Sequence, residues 1–196
     1  DFRSAGTGLW QQNDPMQVAS ATAFYHHPQR FYNWLRPLLR SSRQAQPNAA
    51  HLALAELENS GNLKSIITQN IDGLHQAAGN RLVLELHGSV HRNYCMDCGQ
   101  VFTLRVVMES PEHIPHCGRC GGMVRPDVVL YGETLNPAVV ATAVEHIRAA
   151  DLLVIAGTSL TVQPAAGLVS ACRGGKIVLI NREPTPFDEE AGLVIR

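Results

Sequence analysis

The sequence predicts a doubly wound α/β protein: a largely parallel sheet with helices on both faces, interrupted once by a small metal-binding module and preceded by a helical segment. Three observations carry this expectation. Short Val/Ile/Leu runs alternate with helical stretches from Leu63 onward, and each run ends in glycine or polar residues. Two C-x-x-C pairs, Cys95/Cys98 and Cys117/Cys120, break the alternation in one place. Near-continuous aliphatic runs suit strands covered on both faces, the condition of a parallel sheet. The intervening helices supply the crossovers such a sheet needs.

Taken in order, residues 15–45 read as helical and gather Phe24, Tyr25, Phe31, Tyr32 and Trp34 close together. Packing explains such an aromatic cluster better than a binding groove does. A helix over 47–60 opens at Pro47-Asn48, where a proline's missing N–H is harmless. The run Ile66-Ile67 ends at Thr68-Gln69-Asn70, and the run 82–86 ends at His87-Gly88. After the cysteine-bearing stretch, a strand over 128–131 ends at Gly132-Glu133, followed by a helix over 137–150. The last strands end at Gly157-Thr158-Ser159 and Asn181-Arg182-Glu183, with a helix over 164–173 between them. In such sheets ligands bind beyond the carboxyl ends of the strands. The expected organisation is one domain made of 1–90 and 125–196, with 91–124 as an inserted module.

The cysteines carry the most specific signal. Two knuckles separated by eighteen residues match the spacing of a zinc ribbon, and Gly99, Gly121 and Gly122 suit the tight turns beneath a metal. Four thiolates fill a tetrahedral zinc and leave no open position, so this metal is structural and the chemistry lies elsewhere. Only Cys172 remains, in an apolar helical pattern that reads as a small buried hydrophobe. One spare thiol, with no signal-peptide pattern at Asp1, implies a reducing cytoplasm.

Composition excludes several classes. No apolar run approaches the length of a membrane span. Sixteen basic residues against seventeen acidic ones give a net charge of −1, which argues against a nucleic-acid surface. Residues 91–125 hold four arginines against three acids, so the metal module has no basic excess either. The G-x-G-x-x-G fingerprint of a nicotinamide dehydrogenase is absent.

Read together, the strand endings resemble one family, the sirtuins, which are NAD-dependent protein lysine deacylases with a Rossmann-like domain. The resemblance rests on Asp1-Phe2-Arg3-Ser4, the segment 68–75 (Thr-Gln-Asn-Ile-Asp-Gly-Leu-His), His87-Gly88 and the four cysteines. It continues through the segment 125–133, Gly157-Thr158-Ser159-Leu160, Pro164-Ala165-Ala166-Gly167 and Asn181-Arg182-Glu183. These follow the family's order along the whole chain, in the manner of a bacterial member.

The resemblance implies that NAD is consumed as a co-substrate and that an acetylated protein or peptide is the partner. His87 is then the general base acting on the ribose, a task suited to an imidazole that titrates near neutrality. Products would be free lysine, nicotinamide and O-acetyl-ADP-ribose. Asn70, Ile71 and Asp72 would form the nicotinamide pocket, with Asn70 also counted as catalytic and Gln69 on the ribose. Locally, Asn70 and Asp72 could equally cap the next helix. Phe2 and Arg3 would sit on a loop covering the cofactor. Gly157, Thr158 and Ser159 would meet phosphate or ribose oxygens, and Asn181, Arg182 and Glu183 the adenosine half. Gly132, Glu133 and Val162 would form the rims of a groove holding the substrate backbone as an added strand. Val129 and Tyr131 would line the acyl-lysine tunnel.

Two departures qualify the family pattern. The Gly-Ala-Gly phosphate loop that normally precedes the Asp1-Phe2-Arg3 stretch is not in the sequence, which reads as part of a longer protein. The Tyr-x-x-Arg pair of desuccinylating members aligns with Leu35 and Leu38, and Arg36 falls on another helical face. A buried acyl carboxylate without a cation is costly, so acetyl or another uncharged acyl group is expected. Other readings are NAD-dependent ADP-ribosyl transfer to protein and a zinc-ribbon binding module, the latter having no need of His87 or Asn70.

Overall fold

The computed structural model describes residues 13–196. Phe2 and Arg3, expected over the cofactor, lie outside the described residues. The chain begins with helices α1 (Pro15–Val18), α2 (Ala21–His26), α3 (Pro28–Ser42) and α4 (Ala49–Asn59). Then come β1 (Ile66–Thr68), α5 (Leu74–Ala77), β2 (Val83–Glu85), β3 (Gly88–Cys95), β4 (Val101–Phe102), α6 (Leu104–Glu109) and β5 (Val124–Val128). The chain closes with α7 (Pro137–Ala149), β6 (Leu152–Ala156), a 3-10 helix (Ala165–Ala171), β7 (Lys176–Ile180) and β8 (Leu193–Ile195). Two compact units emerge: one from the chain up to Glu56, Asn70–Asn80 and His87–Thr134, the other from Leu57–Gln69, Arg81–Leu86 and Leu135–Arg196.

The first unit is built on aromatics. Phe24, Phe31 and Tyr32 are fully buried with Leu35 and Leu39 against Val90, Val107, Val124 and Val128. Phe24 and Phe31 meet edge to face at 5.0 Å, and Phe31 and Tyr32 at 5.2 Å, the arrangement that ring quadrupoles favour. The packing expectation holds for these rings, whereas Tyr25 is exposed. The helices start where side chains satisfy orphan amides: Asp14 caps α1 through the Met16 N–H, and Ser20 caps α2 through the Ala23 N–H. Against them lies a three-stranded antiparallel sheet in the order β4-β3-β5.

This sheet differs from the expectation in one respect. The strand runs over Val124–Val128 and pairs antiparallel with β3, rather than over 128–131 in a parallel sheet. Residues 129–131 instead lie beside residues 19–21, where Tyr131 accepts from the Ala21 N–H and donates to the Ala19 carbonyl. β5 reads Val-Arg-Pro-Asp-Val and lacks the aliphatic run of 128–130, so sequence alone placed the strand too late. The β3/β5 ladder also slips between Ser89 and Asn93, a bulge at which Asn93 Nδ2 bonds the Val90 carbonyl at 3.0 Å.

The second unit holds the parallel pairs. β1 pairs with β2, and β7 lies between β6 and β8, all parallel. Its core joins Ile155, Ile177 and Leu179 to Leu160, Ala166 and Val169 of the segment after β6. Cys172 packs against this core half-buried, at the end of a 3-10 helix rather than inside an α-helix. The other face of the three strands, Leu152, Val154, Ile180, Leu193 and Ile195, stays 40–52% exposed. An apolar run shows that both faces of a strand are apolar and does not say what covers the second. α7 matches its expectation, with Pro137 in its first turn and Asn136 Oδ1 accepting from the Ala138 N–H at 2.9 Å. Among the described residues no helix is long and apolar enough to cross a membrane.

One bond joins the aromatic core to the sheet: the buried Tyr32 hydroxyl donates to the Val124 carbonyl at 2.6 Å. Burial pushes the Tyr32 phenol well above its ordinary range, so it stays a donor at any physiological pH. Tyr32→Phe is expected to cost about 1–2 kcal/mol by stranding that carbonyl, read as a lower urea midpoint at unchanged slope.

Candidate active site and metal centre

The four cysteines converge. β3 ends in Cys95 and the next turn carries Cys98, with the Gly99 N–H bonded to the Cys95 carbonyl at 3.0 Å. The second knuckle repeats the turn, with the Gly121 N–H on the Cys117 carbonyl at 2.8 Å. Gly99 and Gly121 adopt φ of 69° and 78°, a conformation that favours glycine. All four sulfurs lie within 4.8 Å of one another, with Cys95 and Cys120 at 3.4 Å and Cys98 and Cys117 at 3.8 Å. A tetrahedral zinc with bonds of about 2.3 Å separates its sulfurs by about 3.8 Å, so the set fits such an ion. The Gln100 backbone N–H and Arg119 lower the Cys98 thiol to about 6. The Gly122 N–H favours the Cys120 thiolate, but bonds with Cys98 and Cys95 outweigh it and push Cys120 up to about 12. Thiols this close resist sharing negative charge until a cation neutralises them.

In the same unit, β3 and β5 carry His87 and the segment that follows β5. His87 is half-buried immediately before β3, and its carbonyl accepts the Val129 N–H at 3.0 Å. Gly88 is required beside it: φ is +75°, and an added Cβ would lie 2.0 Å from the Asp127 carbonyl oxygen. Residues 70–73 lie along β3, with the Ile71 carbonyl accepting from Val90 N–H at 3.1 Å. The Asp72 carbonyl meets His91 Nε2 at 2.8 Å, and Asp72 Oδ1 takes the Leu74 N–H at 2.9 Å. The N-cap of α5 is Gly73, with no side-chain cap, so Asp72 closes a turn onto the Leu74 N–H from one residue before the helix cap. Asn70 is exposed, and Val129 and Tyr131 are half-buried.

Glu133 has an engaged side chain. Both its oxygens are held by Arg125, at 2.8 and 2.7 Å, and Oε2 also accepts the Leu130 N–H. Burial opposes its ionisation, but the bonds from Arg125 and Leu130 prevail and hold its carboxyl below the ordinary value. Arg125 is only 6% exposed and lies over the Phe24 ring at 5.0 Å.

The second unit collects the other predicted residues at the carboxyl ends of its strands. Gln69 follows β1, and its Nε2 donates to Thr158 Oγ1 at 3.3 Å, which brings two predicted ligands together. The Gly157 N–H bonds the Ile180 carbonyl at 3.0 Å, which sets the turn after β6 beside the end of β7. Thr158 Oγ1 accepts the Leu160 N–H at 3.2 Å, and Ser159 shares a 2.8 Å bond with Thr161. After β7, Asn181 Nδ2 closes a turn onto the Glu183 carbonyl at 2.7 Å, and Arg182 and Glu183 pair at the surface. Val162 is half-buried, and its carbonyl accepts the Ala166 N–H. Hydroxyls and amides at strand ends are suited to sugar and phosphate oxygens.

The four-cysteine cluster between two strands, with polar strand ends on either side of it in sequence, narrows the comparison to few folds. The sequence profile of the Sir2 family matches residues 1–164. This chain belongs to the Sir2 family. Sir2 relatives named NAD-dependent protein deacetylase include one from Clostridium acetobutylicum, 49% identical over all of this chain and 81% of its own length. Another, from Cutibacterium acnes, is 51% identical over all of this chain and 80% of its own length. Among solved structures, a Sir2 homologue complexed with ADP-ribose superposes with TM-score 0.94 at 40% identity, covering all of this chain and 79% of that one. A Sir2 variant with deacetylated p53 peptide and 3'-O-acetyl ADP ribose gives 0.93 at 37% identity, covering all of this chain and 80% of that one. The Rossmann-like α/β class expected from sequence is the class of these Sir2 structures.

Sequence reasoning passed over two residues of this region. His91 supports the 70–73 loop and could not be told from the other histidines. Arg125 had a visible signal, as a lone charge between Val124 and Pro126 with a carboxylate eight residues later. Elemental analysis of the purified Sir2 protein is expected to find about one equivalent of zinc, lost in Cys95→Ser together with the cooperative unfolding of the first unit. Full zinc content in that variant would exclude the four-thiolate site. Gly88→Ala is expected to destabilise by about 3 kcal/mol or more in chemical denaturation, since strain and backbone overlap act together.

Proposed function

We propose that this protein removes acetyl groups from protein lysines with consumption of NAD, releasing nicotinamide and O-acetyl-ADP-ribose. The observation that carries this reading is whole-chain identity of about half to curated NAD-dependent protein deacetylases. One solved relative holds a p53 peptide and NAD, another an acetylated peptide and a third a propionylated peptide, which supports an acylated peptide as the partner here. In this reading His87 is the general base toward a ribose hydroxyl, its position supported by the Val129 bond and by Gly88. Asn70, Ile71 and Asp72 receive the nicotinamide, and Gln69 the ribose. Gly157, Thr158 and Ser159 meet phosphate and ribose oxygens, while Asn181, Arg182 and Glu183 serve the adenosine half. Phe2 and Arg3 keep their assignment over the cofactor.

Gly132, Glu133 and Val162 would rim the peptide groove, and Val129 and Tyr131 the acyl tunnel. Because the Glu133 carboxylate is held by Arg125, its contribution there is through the backbone. The cysteines would hold a structural zinc in a module, 91–124, inserted into the NAD-binding domain of 1–90 and 125–196. Neutral acyl groups remain favoured, since Leu35 is buried in the core and Arg36 donates to the carbonyls of Val107 and Glu112. A reducing cytoplasm is the natural setting, because the four cysteines must stay reduced to hold the metal.

The test incubates the protein with its natural N-terminus and an acetyl-lysine peptide, with and without NAD, followed by mass spectrometry. Strictly NAD-dependent deacetylation with O-acetyl-ADP-ribose is expected, and His87→Ala should lower kcat roughly a hundredfold or more. A modified protein acceptor in place of O-acetyl-ADP-ribose would establish ADP-ribosyl transfer instead. Unaltered activity in both His87→Ala and Asn70→Ala would refute the assigned site.

A further inference from the structure

We propose that the ion pair between buried Arg125 and half-buried Glu133 is a positioning clamp that fixes the segment 128–133 for peptide binding. The proposal rests on the deacetylase reading of that segment as a rim of the peptide groove. Its foundation is the number of bonds that meet on a short stretch of chain. Arg125 Nη1 and Nη2 grip the two oxygens of Glu133 at 2.8 and 2.7 Å, and Nη2 also donates to the Val128 carbonyl at 3.0 Å. Glu133 Oε2 then takes the Leu130 N–H at 2.9 Å, and the Glu133 N–H returns to the Leu130 carbonyl at 3.0 Å. The guanidinium itself is seated on the Phe24 ring, so the clamp is anchored in the aromatic core.

Stability alone does not explain such a pair. Desolvating two charges costs about as much as their attraction returns, and apolar pairs of similar volume often replace them without loss. What the pair adds is geometry. A planar guanidinium holding a carboxylate at two points fixes both distance and orientation, which a lysine cannot do. Here it closes a loop from β5 back onto its own continuation, with Gly132 at φ +90° allowing the reversal. The same segment donates the Val129 N–H to the His87 carbonyl and bonds Ala19 and Ala21 through Tyr131. A peptide that adds itself as a strand reads main-chain positions, so its affinity depends on that backbone being held still. Arg125 is thus a positioning residue acting through Glu133, without touching substrate.

Arg125→Lys and the paired apolar replacement Arg125→Met with Glu133→Leu test this, using the protein with its natural N-terminus. Both variants are expected to raise KM for an acetyl-lysine peptide about tenfold while KM for NAD stays within about twofold. The paired variant should keep a thermal midpoint near that of the parent. Native-state hydrogen exchange at the Leu130 and Tyr131 amides should quicken in Arg125→Lys. A folded paired variant with unchanged peptide KM overturns the proposal. If the parent protein shows no deacetylation, the functional reading has failed, and exchange alone decides the clamp: unchanged protection at Leu130 overturns it.

Discussion

The pairing of β3 with β5 is the constraint on which the first unit depends. At one end Cys95 faces Val124 in the ladder, and Cys95 belongs to the four-sulfur cluster. At the other end Gly88 pairs with Val128, and the Asp127 carbonyl lies so close that no side chain could stand there. Between these ends the ladder slips by a bulge, and Tyr32 ties β5 to the aromatic helices through the Val124 carbonyl. The 70–73 loop is hydrogen-bonded to β3, Glu133 is held by Arg125 of β5, and His87, one residue before β3, accepts from Val129, one residue after β5. A metal ion held by the four sulfurs would fix the far end of the ladder and thereby its strand register, and four thiolates leave it no open position for chemistry.

The second unit uses a different device. Its candidate ligand-binding residues sit where parallel strands end, and backbone bonds between successive strand ends hold them in place. Gly157 leans on Ile180 and Asn181 on Ile195, so the turns after β6 and β7 inherit their positions from the sheet. The hydroxyls of Thr158, Ser159 and Thr161 are locked in short-range bonds that shape the turn. Such a turn presents preformed polar groups to a ligand, and little ordering entropy is then lost on binding.

Much of this was legible in the chain. The four cysteines state the metal-site cluster by spacing alone, and the glycine and polar residues mark where the strands end. The helices expected over 47–60 and 137–150 occur as Ala49–Asn59 and Pro137–Ala149. The antiparallel sheet was not legible, because β3 reads Gly-Ser-Val-His-Arg-Asn-Tyr-Cys, a mixture without two-residue alternation. The bulge is the reason: it turns part of the strand out of step, so the apolar pattern is broken where the structure is most constrained. β8 and α6 were passed over because each is brief, and short elements draw their stability from neighbours rather than propensity.

What the sequence determined by itself is the set of elements whose chemistry is local: a metal site written in thiol spacing, helix starts written in prolines and asparagine, and strand ends written in glycine and hydroxyl residues. Whatever depended on partners distant in the chain was left to tertiary structure. Only folding revealed that Arg125 spends its charge on Glu133, that Tyr32 reaches the Val124 carbonyl, and that the run 124–131 divides between two partners. The physical reason is that burial sets the strength and direction of these interactions. A charge or hydroxyl that is indifferent in water becomes decisive once it has been desolvated and must find one partner.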